Sequence, residues 1–235
     1  GNAGQGAQAA DRAVLEARRQ RSRKNEARSL SVRAAFYRDE GRVALARQSW
    51  DDALAVFSDY GDLGEVGSTL QHLSECALVS GDLHRGRSIV EEGLRVAGGL
   101  GLSELELELE LTKAQCHVDA GELERASATL ARIEERAGEL TPRLQAKHGL
   151  CRAQADMDAM KPREAISHAI QALDCAASAA ELGLGARARI ILAQAYHLDG
   201  RVAEAHHHYQ QAALSARACD LRLVLPVILS GIAIA

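Results

Sequence analysis

Aromatic side chains are nearly missing from this sequence. Phe, Trp and Tyr make up 3% of its 235 residues, whereas apolar residues as a whole reach 47%. A core must therefore be assembled from Leu, Ala, Val and Ile, which fill space only where backbones come close. Proline is scarce too, with three residues, and helix formers dominate the remainder, which predicts an all-α chain. The cysteines, Cys76, Cys116, Cys151, Cys175 and Cys219, are odd in number and lack CxxC spacing. They read as reduced, packed thiols of a cytoplasmic protein rather than a disulfide frame or a metal site. No signal peptide is visible, and the most apolar stretch, 221–235, is too short for a bilayer and carries Arg222 and Pro226, so no membrane association is expected. HExxH, GxSxG, GxxxxGKS/T and GxGxxG motifs are absent, which argues against an enzyme and leaves no cofactor to assign.

What the sequence has is repetition. Gly121-Glu122-Leu123-Glu124-Arg125-Ala126 has relatives at 81–86, 160–165 and 200–205. Their last residues, Gly86, Ala126, Ala165 and Ala205, are spaced by 40, 39 and 40 positions. A period in this range indicates stacked helical hairpins. Other columns fall into line: Ser74, Ala114, Ala153 and Ala193 seven residues before the turn, and Cys76, Cys116, Ala155 and Ala195 five before it. Apolar columns follow the turn, with Leu83, Leu123, Pro162 and Val202, then Val90, Leu130, Ala169 and Tyr209. Gly41, Trp50, Ala53 and Phe57 suggest an earlier unit only 33 residues before the next.

These columns resemble the tetratricopeptide repeat (TPR): two small residues in helix A, Gly and an acidic residue in the turn, then Ala and a bulky residue in helix B. The resemblance covers residues 34 to 223. Only Tyr196 supplies the aromatic usual in helix A, no Pro closes a unit, and the period exceeds the usual 34. Repeats of about 40 residues look more like those of bacterial regulators, including peptide-sensing ones, than like cochaperone repeats. The resemblance implies a right-handed α-solenoid of stacked antiparallel helix pairs.

The expected layout is a disordered lead and basic helix over 1–25, an array of about five helix pairs over 26–223, and the first helix of a further, truncated repeat over 224–235. The helices are expected at 26–47 and 51–59, 64–79 and 83–97, 103–119 and 122–138, 142–159 and 162–180, and 185–198 and 201–218. Gly61 and Gly98-Gly99 mark breaks between units. The stretch Glu104 to Leu111 alternates Glu and Leu as a strand does, but the repeat places helix A there, with its Leu touching neighbours on two sides. The chain reads as a fragment of a larger protein, and its apolar last helix is expected to self-associate if no cap follows.

Charge is uneven. Residues 11–47 hold eleven basic against five acidic side chains, a balance of +6, and residues 51–139 nineteen acidic against seven basic, a balance of −12. Clustered Arg suits phosphate, but no nucleic-acid-binding fold is recognisable, so nucleic acid is disfavoured as a partner. His206-His207-His208 cannot close on one metal ion, because consecutive residues point about 100° apart on a helix; they are expected to be solvated.

In the TPR family, helix A lines a concave groove. The implied column one past the small residue reads Arg42, Glu75, Gln115, Gln154 and Gln194. Three residues on lie Leu45, Leu78, Val118, Met157 and His197, and four before it Arg38, Gln71, Leu111, Leu150 and Ile190. The expected groove is apolar with an amide stripe that suits an extended peptide backbone. It lacks the Lys, Arg and Asn set by which some TPR proteins clamp a chaperone's terminal carboxylate. The functional expectation is a protein or peptide interaction module, a scaffold or regulatory domain. The alternative is a small-molecule or signalling-peptide sensor domain of a transcriptional regulator.

Overall fold

The computed structural model describes residues 2–218 and 228–231, all within helices or the turns between them. In chain order the helices are α1 (Asn2–Arg19), α2 (Arg23–Asp39), α3 (Val43–Asp59), α4 (Leu63–Val79), α5 (Leu83–Leu100), α6 (Ser103–Asp119), α7 (Leu123–Glu134), α8 (Pro142–Asp158), α9 (Pro162–Ser178), α10 (Leu182–Leu198) and α11 (Val202–Ala218). A 3-10 turn over Ala137–Glu139 follows α7. The stretch 224–235, expected as a truncated repeat, is described only at 228–231, which is helical; Cys219 lies outside the described residues.

One device ends most of these helices. Gly41, Gly61, Gly81, Gly101, Gly121 and Gly200 have φ between 65° and 79°, and Arg21, Met160 and Ala180 adopt the same left-handed conformation with φ of 53° to 58°. At Gly81, its N–H bonds to Leu78 O and the next N–H, of Asp82, to Ala77 O, both at 2.9 Å. This is a Schellman closure, which satisfies carbonyls the helix end leaves open. The positions recur every 20 residues from 21 to 121, so turns within pairs and between pairs are the same. The step from Gly121 to Met160 is 39 because the intervening connection uses the 3-10 turn, with Thr141 capping the N–H of Leu144 and Pro142 opening α8. An L side chain in this conformation costs roughly 1–2 kcal/mol. Met160 is 69% exposed and sacrifices little packing. Met160→Gly is accordingly expected to stabilise the protein by about 1 kcal/mol in chemical denaturation.

The 20-residue spacing corrects the start of the array. The first unit's helices are not 26–47 and 51–59 but α2 and α3, separated at Gly41. Gly98-Gly99 lie inside α5, and the break falls at Gly101. The residue aligned with Gly86 is Ala46, 40 positions earlier and fully buried, not Ala53. One more step of 40 reaches Gly6, where an added Cβ would collide with the Phe36 ring. The N-terminal segment is therefore no disordered lead: α1 starts at Asn2 in helix B register, and its Val14 packs with Ala27, Leu30 and Phe57.

The chain divides into two compact units, 1–112 and 113–235. In the first, sequence-adjacent helices pack side by side, and the core holds Leu30, Ala53, Phe57 and Leu70 in one cluster and Ala34, Ala46, Trp50, Leu73 and Cys76 in another. In the second, α8, α9 and α10 pack around Ala153, Ala169, Ala172, Leu192 and Tyr196, and α11 adds Tyr209, Ala212 and Ala216. Alanine dominates because paucity of aromatics demands close helix approach.

The Glu-Leu alternation is helical in α6. At 100° per residue, Leu105 and Leu109 share one side and Leu107 and Leu111 the opposite one. Leu105 lies against Gly67 of α4, Leu109 against Gly93 of α5, and Leu107, Leu109 and Leu111 are buried. A period of two thus serves a helix covered on two sides.

Basic residues near the N-terminus meet acids within the first unit. Lys24 reaches Asp62 at 2.7 Å, Arg28 Glu65 at 3.8 Å, Arg33 Asp11 at 3.4 Å and Arg38 Glu75 at 3.8 Å. Three of these pairs tie α2 to α4 or to its capping residue, so much of the local positive charge is matched on the helix-A side.

Candidate functional site

In the second unit, Gln115, Gln154 and Gln194 stand six residues before the left-handed residues Gly121, Met160 and Gly200 of their helices, α6, α8 and α10. All three are half-buried. Gln115 donates from Nε2 to Asp119 Oδ1 at 2.7 Å, and Gln154 to Asp158 Oδ1 at 3.0 Å. Residues four apart share a helix face, which is why each amide finds the carboxylate one turn on. At the third rung Leu198 replaces the acid. Both Asp119 and Asp158 are exposed. Partial desolvation pushes Asp119 above the ordinary carboxyl range, with Asp158 adding to it, while the Gln115 hydrogen bond and Arg187 pull the other way.

The expected apolar groove is not what the side chains form. Val118, Leu150 and Ile190 are 2%, 3% and 7% exposed. Leu150 packs with Ala146, Ala172 and Leu192, and Ile190 with Tyr209 and Ile228. Bulky apolar groups lower the free energy by filling the space between helices A and B. The accessible strip is then left to the amides and carboxylates, with Met157 half-buried and His197 exposed.

Within the first unit, Gln71 is 2% exposed and donates to Glu75 Oε1 at 2.7 Å, repeating the amide–carboxylate pair one turn earlier on the helix. Leu111 is buried and Leu78 half-buried. Arg42 does not belong to the column. It precedes α3 as the N-cap residue, with its guanidinium 4.6 Å from the Tyr37 ring centroid and 3.4 Å from Glu40. Ala35 holds the true position, six residues before Gly41; likewise Arg38 belongs with Leu78, and Leu45 lies in α3.

Asp119 and Asp158 lie outside the repeated amide column, and the i+4 spacing that places them in the same strip is the signal in the sequence that points to them. Two histidine–carboxylate contacts also join paired helices: His117 Nδ1 lies 2.7 Å from Glu122 Oε2, and His168 Nδ1 2.6 Å from Asp156 Oδ2. His208 is not solvated as expected. It stacks on Tyr196 with centroids 5.3 Å apart, and burial lowers its pKa ahead of the nearby His207 and Arg189 charges. No group of His, Cys, Asp and Glu fit to hold a metal occurs among the described residues, and no described helix is long and apolar enough to cross a membrane.

No family model matches the sequence, and no curated protein matches it. Solved structures do. BtubC (BKLC) from P. vanneervenii is similar over 94% of this chain and 93% of its own, with TM-score 0.63 and 18% identity. A Rap protein complexed with Competence and Sporulation Factor gives TM-score 0.75 at 15% identity, over 89% of this chain. The match spans 62% of the Rap chain, so the similarity concerns part of that protein. TPR-like repeats of a kinesin light chain from Podosopora anserina align over 82% of this chain and 95% of their own, with TM-score 0.55 and 18% identity. At such identities the likeness is one of fold: an all-α, TPR-like solenoid.

Proposed function

We propose that this chain is a protein or peptide interaction module, the scaffold or regulatory part of a larger cytoplasmic protein, which binds a partner segment on the helix-A face of its second unit. The observation that carries this reading is the row of half-buried Gln115, Gln154 and Gln194 on three successive A helices, flanked by exposed Asp119 and Asp158. Polar side chains held in register along a face otherwise closed by buried Leu and Ile supply repeated, oriented hydrogen-bonding groups. Affinity capture with the intact chain and with the Gln115→Ala/Gln154→Ala/Gln194→Ala variant tests the reading. A protein retained by the first and lost from the second supports it; identical retention removes the role of this face.

A sensor domain binding a signalling peptide is the second reading, favoured by the similarity to a Rap protein seen with such a factor. Here a short peptide raises Tm without any protein partner.

The role proposed is not catalytic. Two of the buried thiols are poor nucleophiles, since burial pushes Cys76 up to about 11 and Cys151 up to about 12. In a Cys219→Ser background, a thiol reagent at pH 8 is expected to label half-buried Cys175 first, and buried Cys76, Cys116 and Cys151 only on unfolding. Rapid labelling of Cys151 in the folded protein would contradict this packing.

A further inference from the structure

The paired geometry of the strip restricts what it can bind, given that it is the partner-binding face proposed above. A free Gln amide offers donors and acceptors equally. Here one amide N–H of Gln115 and one of Gln154 already serve Asp119 and Asp158. Each pair therefore keeps in reserve the Gln Oε1, the uncommitted lone pairs of an exposed carboxylate and a negative charge, against a single remaining N–H. The amides orient the acids, and the acids face the partner.

The geometry points to a partner segment that is extended and basic, with Arg or Lys side chains three residues apart, one for each Gln–Asp pair. The spacing follows from the architecture. Asp158 lies close enough to Asp119 for its charge to act there, a separation on the order of 10 Å, which three residues of extended chain at about 3.3 Å each span. At the third rung, Gln194 keeps the amide, while Leu198 stands in place of the acid and is 39% exposed. The next partner position after the two basic ones is then apolar, which also sets the direction in which the segment runs. Arg187, whose charge reaches Asp119, competes with the partner's cation for that carboxylate.

A labelled, amidated nonapeptide with two Arg three positions apart and a Leu three positions further on, Ala and Ser elsewhere, is the probe, titrated by fluorescence anisotropy. Asp119→Asn/Asp158→Asn is expected to weaken binding about fivefold or more, the sum of two solvent-exposed ion pairs. Glu124→Gln/Glu164→Gln, which removes the same charge from exposed positions of α7 and α9, should leave binding unchanged, and Arg187→Gln should tighten it. Circular dichroism checks that all variants stay helical. Equal weakening by both double variants, or weakening by Arg187→Gln, overturns the inference as mere net-charge attraction. No binding by the intact chain, or binding indifferent to Asp119 and Asp158, overturns it as well. If the three-Gln variant still loses a captured partner in that case, the interaction face survives and only its basic specificity falls.

Discussion

Trp50→Ala is expected to cost the protein about 3–5 kcal/mol, the range for truncating a large buried aromatic. Trp50 is 1% exposed and sits among Ala34, Ala46, Leu73 and Cys76, with its ring stacked on His72 at 4.9 Å and Arg38 5.8 Å from its centroid. Ala34 and Ala46 on its flanks cannot extend into the void, so much of the cavity persists. Repeat arrays distribute stability over local interfaces. Native-state hydrogen exchange should therefore place the loss in α2, α3 and α4, with protection in α9 and α10 little changed. A uniform loss across both units, or a change below about 1 kcal/mol, would show that Trp50 is not the local keystone this packing implies.

The second large effect is expected at Gly149. A Cβ there would lie 3.0 Å from Ala172 Cβ and 3.2 Å from His168 O, and so against the backbone of α9. Gly149→Val should destabilise by about 3 kcal/mol, because its branches have no flexible neighbour to displace. Gly149→Ala should fall near neutral, since tight contact is offset by about 1 kcal/mol of helix propensity. Gly98→Ala and Gly99→Ala, where an added Cβ meets nothing within 4 Å, should each stabilise by roughly 0.5–1 kcal/mol. Chemical denaturation of the four variants checks the order. If Gly149→Val matched Gly98→Ala, α8 and α9 would not approach as closely as described.

The repeated small residues at 86, 126, 165 and 205 announced where helices must touch, and these positions are buried. Legibility stopped where local signals compete. Gly41 and Trp50 suggested a 33-residue step because an apolar face repeats every three or four residues, so a shift of seven keeps it apolar. Only the turn conformation at Gly41, shared with Gly61 and Gly81, restores the step of 40. Arg21 and Ala180 carry no turn signal in their residue type, since left-handed backbone is announced by Gly and these have side chains, and Met160 is legible as a turn only through its place in the repeat.

The amide column was readable at Gln115, Gln154 and Gln194 because a repeat fixes which residues occupy equivalent places. Whether those amides are free was not. The periodic small residues, the lack of proline and the helix-forming composition by themselves determined an all-α chain of paired helices with a 40-residue unit, since these depend on neighbours along the chain. Tertiary structure alone decided that Val118, Leu150 and Ile190 turn inward and that α1 joins the packing as helix B. It also closed the Gln115–Asp119 and Gln154–Asp158 pairs, which the i, i+4 spacing permits without requiring. Which side of a helix is buried depends on what packs against it, and that is set by contacts between distant segments.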